Sequence, residues 1–304
     1  MRKFIPAKFR YLLAVIMLLS FVQRVQAQDD LLGLLGEEKP TKEFQRNAFK
    51  ATRVINAHSM ECLSRGVLDF RILHRFGLVN QGAYEAFGLD QATIRLGLDY
   101  GISDRLTVGI GRSSNKKELD GFIKFRPIWQ AKGGGWPFSV ILISGIVKDG
   151  MKWADPNRDN YFSSRLSYYH QVVIGRKFSE AFSLQFMPTV VHRNLVATEA
   201  DNHDITTIGV GTRLKLTNRL AITAEYFRHI TDLPVGYTDP LSIGFDIETG
   251  GHVFQLHFTN ALGMNERAFL VGTDGKVDKG DIHFGFNISR VFTLSKPKKF
   301  RKAS

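Results

Sequence analysis

Fourteen charged residues fall at alternate positions of apolar segments, a spacing that puts them on one face of extended strands. The bases are Arg71, Arg95, Lys124, Arg126, Arg165, Lys177, Arg193, Arg213 and Lys215; the acids are Asp69, Asp99, Glu225, Asp246 and Glu248. If that face lines a pore, nine bases against five acids favour anionic solutes, because rings of Arg and Lys attract anions. The same groups can instead pair into a network that fills the interior. Arg71, Arg95, Asp99, Lys124, Arg165, Arg193, Arg213, Glu225, Asp246 and Glu248 are the candidates for lining a lumen.

Other chemistry is thinner. His252, His257 and His283 lie near the carboxy end, and His257 and His283 share the inward parity. No HxxxH or paired Cys/His spacing accompanies them, so they read as isolated histidines and no metal is expected. TDGKVDKGD lacks the Dx[DN]x[DN]G spacing of a calcium loop and reads as a solvated outer loop. A hydrolase needs a nucleophile beside a base. His58-Ser59 is the adjacent pair of that kind, it precedes the strands, and there is no GxSxG. His170 is on an outward face, near an interface. GIGRSS and GVGTR lack the GxGxxG pattern of a dinucleotide loop. No catalytic residue or cofactor is assigned.

The elements that must position these groups are strands. Ala92, Ile94, Leu96, Leu98, Tyr100 and Ile102 alternate with Thr93, Arg95, Gly97, Asp99 and Gly101; Ile282, Phe284, Phe286 and Ile288 alternate with His283, Gly285, Asn287 and Ser289. About 12 strands are expected, near 65–76, 91–102, 105–113, 119–129, 136–148, 160–178, 182–195, 203–216, 219–230, 240–249, 251–260 and 279–294. Long connections near 77–90, 149–159, 196–202, 231–239 and 261–278 alternate with short ones such as Ser103-Asp104, Thr217-Asn218 and Gly250-Gly251. That asymmetry suits an all-β, transmembrane, antiparallel up-and-down β-barrel of the outer-membrane type, with both termini on the short-turn, periplasmic side.

Alternation alone also fits a soluble sandwich. Strand length, near the ~9–11 residues of a tilted crossing, favours the barrel. So do the aromatics beside the short turns: Tyr100, Trp129, Trp136, Phe178, Phe182 and Phe292 read as an interfacial girdle. The many glycines of the polar face fit crowding inside a cylinder. Pro127 and Pro188 interrupt proposed strands, where each removes a ladder donor, and mark bulges or early strand ends. In 138–147, FSVILISGIV, both faces are apolar and the facing is open.

The chain has 304 residues, 43% apolar and 12% aromatic, with one cysteine. This excludes an internal disulfide framework and a disordered chain. The net charge of +12 is concentrated at the ends. Five bases and no acid lie in the first 27 residues, and five more bases in the last ten, which weakens a nucleic-acid reading. Residues 1–27 have a basic start, the apolar run YLLAVIMLLSFV and Val25-Gln26-Ala27, the pattern of a cleaved secretory signal with cleavage after Ala27. Residues 28–64 form a leader that sits in the periplasm, plugs the lumen or pairs with the barrel. Residues 65–294 form the barrel, and 295–304 a basic tail.

The stretches LLGLLGEEKPTKEF, GVLDFRILHRFG, ATIRLGLDYGISDRLTVGIGRSS, KWADPNRDNYFSSRLSYYHQ, RKFSEAFSLQFMPTVVHRNLV, LSIGFDIETGGHVFQLHFTNA and KGDIHFGFNISRVFTL resemble a β-barrel family of Bacteroidota, domain of unknown function 5777. The resemblance covers most of 30–294, with GFDIETGGHVFQLHFTN its most specific piece. It implies an outer-membrane barrel and no activity, cofactor or catalytic residue. GFNISRVF, ending in Phe292, resembles the insertion signal read by the barrel-assembly machinery, although the basic tail follows it.

The expected partners are outer-membrane lipid, the assembly machinery during insertion and a small anionic solute, with no nucleic acid. Porin-like passage or binding of a small solute through a polar lumen is the expected role. The alternatives are a scaffold barrel that binds a periplasmic partner and an outer-membrane hydrolase.

Overall fold

The computed structural model describes residues 42–153, 155–249 and 252–295. The expected signal peptide, the LLGLLG stretch of the leader and the tail beyond Ser295 lie outside the described residues.

Twelve antiparallel strands close into one barrel. They are β1 (Val67–Leu78), β2 (Ala92–Ser103), β3 (Leu106–Ser113), β4 (Leu119–Ile128), β5 (Ser139–Lys148), β6 (Leu166–Lys177), β7 (Phe182–Arg193), β8 (Asp204–Lys215), β9 (Leu220–His229), β10 (Leu241–Thr249), β11 (His252–Thr259) and β12 (His283–Thr293). Each strand pairs with its neighbours in sequence, and β12 pairs with β1 through Phe286↔His74 and Arg290↔Phe70. Closure leaves no unpaired edge, the condition for backbone in hydrocarbon. The strands run from 8 to 12 residues, long enough for a tilted crossing.

The outward face confirms the alternation. Leu96, Leu98, Ile110, Ile123, Phe245 and Phe258 are exposed there. A cation at the bilayer midplane costs about 2–4 kcal/mol. Accordingly the outward charges stand near strand ends: Asp204 opens β8, and Arg112, Lys148, Arg176, Arg228 and Arg290 lie within the last few residues of theirs. Trp136, Phe178, Phe182 and Phe292 are exposed beside short connections. Trp129 departs from the expected girdle. It is buried, stacks on Phe44 at 4.8 Å and donates its indole N–H to the Gln45 carbonyl at 2.6 Å. The chain entering the barrel claims its face.

The prolines have distinct effects. Around Pro127 the β4–β5 register shifts by one residue between Phe125 and Ile128, a bulge. At Pro188 the pairing with β8 is unbroken, and the pairing with β6 lapses between Thr189 and Phe186 without a shift.

Inside, the barrel is packed. The undecided facing of β5 resolves with Ile141, Ile143 and Val147 inward, against Tyr169 and Val173 of β6, Met187 and Val191 of β7, Ile205 of β8 and Phe227 of β9. Their partners are Ala48, Phe49, Val54, Ala57 and Met60 of the leader and Phe269, Leu270 and Val271 of a short helix, α1 (Glu266–Val271). Two inward glycines show how this density is reached. A Cβ at Gly111 would fall on the Arg95 guanidinium, and one at Gly145 on the Tyr169 ring.

Candidate functional site

The lumen is closed from both ends, and the polar inner face is organised around the closure. From the short-turn side, Glu43–Phe44 pairs with Ala131–Lys132 at the rim. The chain then enters the barrel and reverses. Arg53 bridges to His58, and the Val54 N–H donates to the Ala57 carbonyl at 2.8 Å. Buried peptide groups need partners, and here side chains of the wall supply them. Three successive N–H groups, of Ile55, Asn56 and Ala57, donate to the Glu225 carboxylate at 3.2, 2.8 and 3.1 Å. The carbonyls of Val54 and Ile55 accept from Gln255 at 2.7 Å and Asn287 at 3.0 Å. Gln185 accepts from the Met60 N–H at 2.9 Å and donates to the His58 carbonyl at 2.8 Å. Lys124 donates to the Thr52 carbonyl at 3.1 Å, and Arg126 to that of Met60 at 3.0 Å.

From the long-loop side, the connection between β11 and β12 turns into the barrel and carries α1. Asn265 caps this helix by accepting from the Ala268 N–H at 2.9 Å. Its amide donates to Glu118 at 2.6 Å, and Arg267 pairs with the same carboxylate at 2.9 Å. Burial raises the Glu118 pKa above the ordinary carboxylate value, against the pull of Arg267 and Asn265. Glu266, fully buried, meets the leader: it lies 2.6 Å from Arg53 and 3.2 Å from His58. One carboxylate therefore joins the two closures.

The sequence-predicted lumen residues, Arg165 apart, divide into two groups. Arg71 pairs with Asp69 at 2.8 Å and lies 3.9 Å from Asp99. Arg95 pairs with Asp120. Lys124, Arg126, Arg213, Glu225 and Asp246 are also buried inside the barrel, and Asp246 accepts from Gln255 at 2.9 Å. The others lie toward the ends. Glu248 binds Lys50 of the leader at 2.9 Å, and Lys177 binds Glu180 at 2.8 Å. Lys215 is the last residue of β8, at the short-turn rim. Arg193, the last residue of β7, is half-buried and donates to the Asn202 carbonyl at 2.6 Å.

Arg165 is not in the lumen. A 3-10 turn, Phe162–Arg165, precedes β6, so the parity of the strand does not extend to it. Its guanidinium lies 3.8 Å over Trp153 and donates to the carbonyls of Asp149 and Met151 among the outer loops. Sequence parity also reaches two residues that were passed over: Asp120, on the same face as Lys124, and Arg75, on the same face as Arg71. The uncharged leader-binding groups Gln185, Gln255 and Asn287 also face inward, and the same alternation reaches them.

His257 and His283 face inward and are buried. Among the described residues no cluster of three His, Cys, Asp or Glu is placed to hold a metal. His170 is exposed on the lipid face, its Nδ1 3.0 Å from the Ser144 Oγ.

Residues 49–292 match the family described as a membrane bound beta barrel domain, DUF5777. The chain belongs to this family. No curated protein matches the sequence. Among solved structures, the DUF5777 barrel is similar to the NanC porin, at 8% identity over 75% of this chain and 100% of that one, with a TM-score of 0.46. It is also similar to Omp33 of Acinetobacter baumannii, at 10% identity over 74% and 97%, with a TM-score of 0.40. A third is the translocator domain of the autotransporter NalP from Neisseria meningitidis, at 13% identity over 77% and 91%, with a TM-score of 0.35.

Proposed function

We propose that this membrane barrel is exported by a signal cleaved after Ala27 to the outer membrane of a Bacteroidota cell. We read its role as porin-like passage of a small solute, with the leader holding the lumen shut until it is displaced. The observation that carries the reading is the way the leader is seated. Its tip hangs on side chains of a polar wall, and the sole cysteine, Cys62, is free. Hydrogen bonds to wall side chains can be exchanged for water at a net cost of about 0.5–1.5 kcal/mol each for neutral groups and about 1.5–3 kcal/mol for charged ones. A hairpin held this way can leave while the barrel ladder stays whole. The GFNISRVF stretch of β12 is the segment we assign to the barrel-assembly machinery.

For the scaffold alternative, residues 51–60 offer no surface because they are buried in the lumen. We read no catalytic role. His58 and Ser59 are sealed inside, and no acid among the described residues bonds the His170 ring of the Ser144 pair.

Planar-bilayer recording tests the passage. The full chain should be nearly silent. A chain lacking residues 43–64, accepted only if it keeps the heat-dependent gel migration of a closed barrel, should conduct. A freely conducting full chain, or a folded but silent deletion, refutes the reading.

A further inference from the structure

The four arginines of the barrel and leader that are buried to below 2% exposure are Arg53, Arg75, Arg95 and Arg126. Three have a carboxylate within 4 Å: Glu266 for Arg53, Asp120 for Arg95 and Glu61 for Arg126. Arg75 has none among the described residues. Its guanidinium donates to neutral oxygens only, the His74 carbonyl at 3.1 Å, Asn287 at 3.3 Å and Asn56 at 2.5 Å, and its Nε–H is buried without a partner. A buried charge left uncompensated is costly. The nearby acid, Glu225, is committed to the three N–H groups of the leader.

Arg75 is the deepest residue of β1 in a cavity of about 570 Å³ at the long-loop mouth, between β1, β2, β12 and the loop that carries α1. The volume suits a small metabolite-sized molecule. His283 lines it, with Nδ1 held 2.8 Å from the Phe76 carbonyl, and so does Thr93, whose hydroxyl is buried and unpartnered. Gln81 and Gln91 direct their side-chain oxygens to the space beside Gly77 that a Cβ would fill. One rung deeper, His257 is buried with both ring nitrogens unpartnered, next to Arg75 across Gly285. The acids of the lining stand at the outside: Asp274 is exposed, and Asp281 accepts from Asn80 at 2.7 Å and from the Lys276 N–H at 3.0 Å.

We propose that this vestibule binds a small hydroxylated organic acid. Its carboxylate compensates Arg75, and its hydroxyls meet Thr93, Gln81 and Gln91. The proposal names the solute class of the passage reading, but binding here needs no open lumen, so the two can fail separately.

The test is calorimetric titration of the full-length, detergent-purified barrel with glucuronate, glucose and inorganic phosphate. Glucuronate should bind saturably, with glucose and phosphate each weaker by about tenfold or more, the loss expected when a charged hydrogen bond or the hydroxyl contacts are missing. Arg75→Gln should weaken glucuronate by about tenfold or more. Arg75 also holds Asn56, so Thr93→Val, which touches no leader residue in the described hydrogen bonds, is the second variant; it should weaken glucuronate about threefold. Absence of glucuronate binding by the heat-modifiable barrel overturns the proposal. So does equal binding of phosphate, or glucuronate affinity unchanged by both substitutions. A barrel that binds glucuronate yet gives a silent leader deletion keeps the site and loses the passage; a conducting deletion whose full chain binds no acid does the reverse.

Discussion

The two walls of the lumen solve the same problem by different physics. From β5 to β8 the inner face carries most of the apolar cluster, and Ile141, Ile143, Val173, Met187, Val191 and Ile205 pack with Ala48, Phe49, Val54 and Met60 of the leader, with Gln185 the polar residue there that bonds it. From β9 through β12 and on to β4 it is mostly polar, and Glu225, Gln255, Asn287, Lys124 and Arg126 hold the leader's peptide groups by individual hydrogen bonds. The apolar wall gives non-directional attraction that grows with buried area. The polar wall gives register, because each bond has a length and an angle. Together they set where the hairpin turns and which side it leans on.

Substitutions can break this contrast. The largest effect is expected from Glu225→Ala. It strands three buried N–H donors and removes bonds to a charged acceptor, each worth about 1.5–3 kcal/mol. The leader should become cleavable by trypsin at Lys50 and Arg53 while the barrel keeps its gel migration. Continued protection shows that the leader is held without Glu225.

On the opposite wall, Ile143→Ala leaves a cavity at a fully packed site and should cost about 2–5 kcal/mol. Here lower thermal stability should appear without trypsin sensitivity, since no leader hydrogen bond is lost. Equal leader release from Ile143→Ala and Glu225→Ala would erase the distinction between the walls.

Outside the lumen, Leu98→Arg on the lipid face of β2 should cost about 2–4 kcal/mol in bilayer stability, read by denaturant unfolding in liposomes. No cost there would mean that protein, and not lipid, covers that face.

The smallest effect concerns the outer loop before β10. Burial by itself raises the Asp239 carboxyl, but the backbone N–H and ring of His229, with Arg228 and Tyr226, hold it at about 2. A depressed folded pKa contributes stability above the ordinary carboxylate value of 3.8 and loses it as pH falls toward 2. The ion-pair partner Arg228 is exposed, so screening limits the contribution to about 1 kcal/mol or less. Asp239→Asn should flatten a small acid-side loss of loop protection in hydrogen exchange between pH 4 and pH 2 (roughly the interval set by linkage), leaving both walls unaffected.

Strand positions were legible because alternation with a period of two is local. Ten of the twelve expected starts fall within three residues of the observed ones. Two starts differ: the strand expected from 160 begins at Leu166 because a 3-10 turn takes Phe162–Arg165, and the one expected from 279 begins at His283, after the 3-10 turn Val277–Lys279 and its left-handed cap at Gly280. Arg165 left the lumen for this reason. Facing was illegible where both faces are apolar, as in β5, since alternation carries no signal there. Trp129 looked like a membrane anchor because its position beside a short turn fits either side of the wall. Only the arrival of Phe44 and Gln45 from 84 or more residues upstream turned it inward.

The amino acids alone favoured a barrel. Alternation leaves a sandwich open, but strands of crossing length with aromatics beside the short turns point to lipid outside, and closed pairing is then the way to satisfy the backbone in hydrocarbon. Whether the cylinder is open was decided by tertiary structure. The fate of its charges depends on contacts such as Glu225 with Asn56 and Glu266 with Arg53, which lie 169 and 213 residues apart. No local pattern encodes such meetings, because they exist only after the wall has closed around the leader.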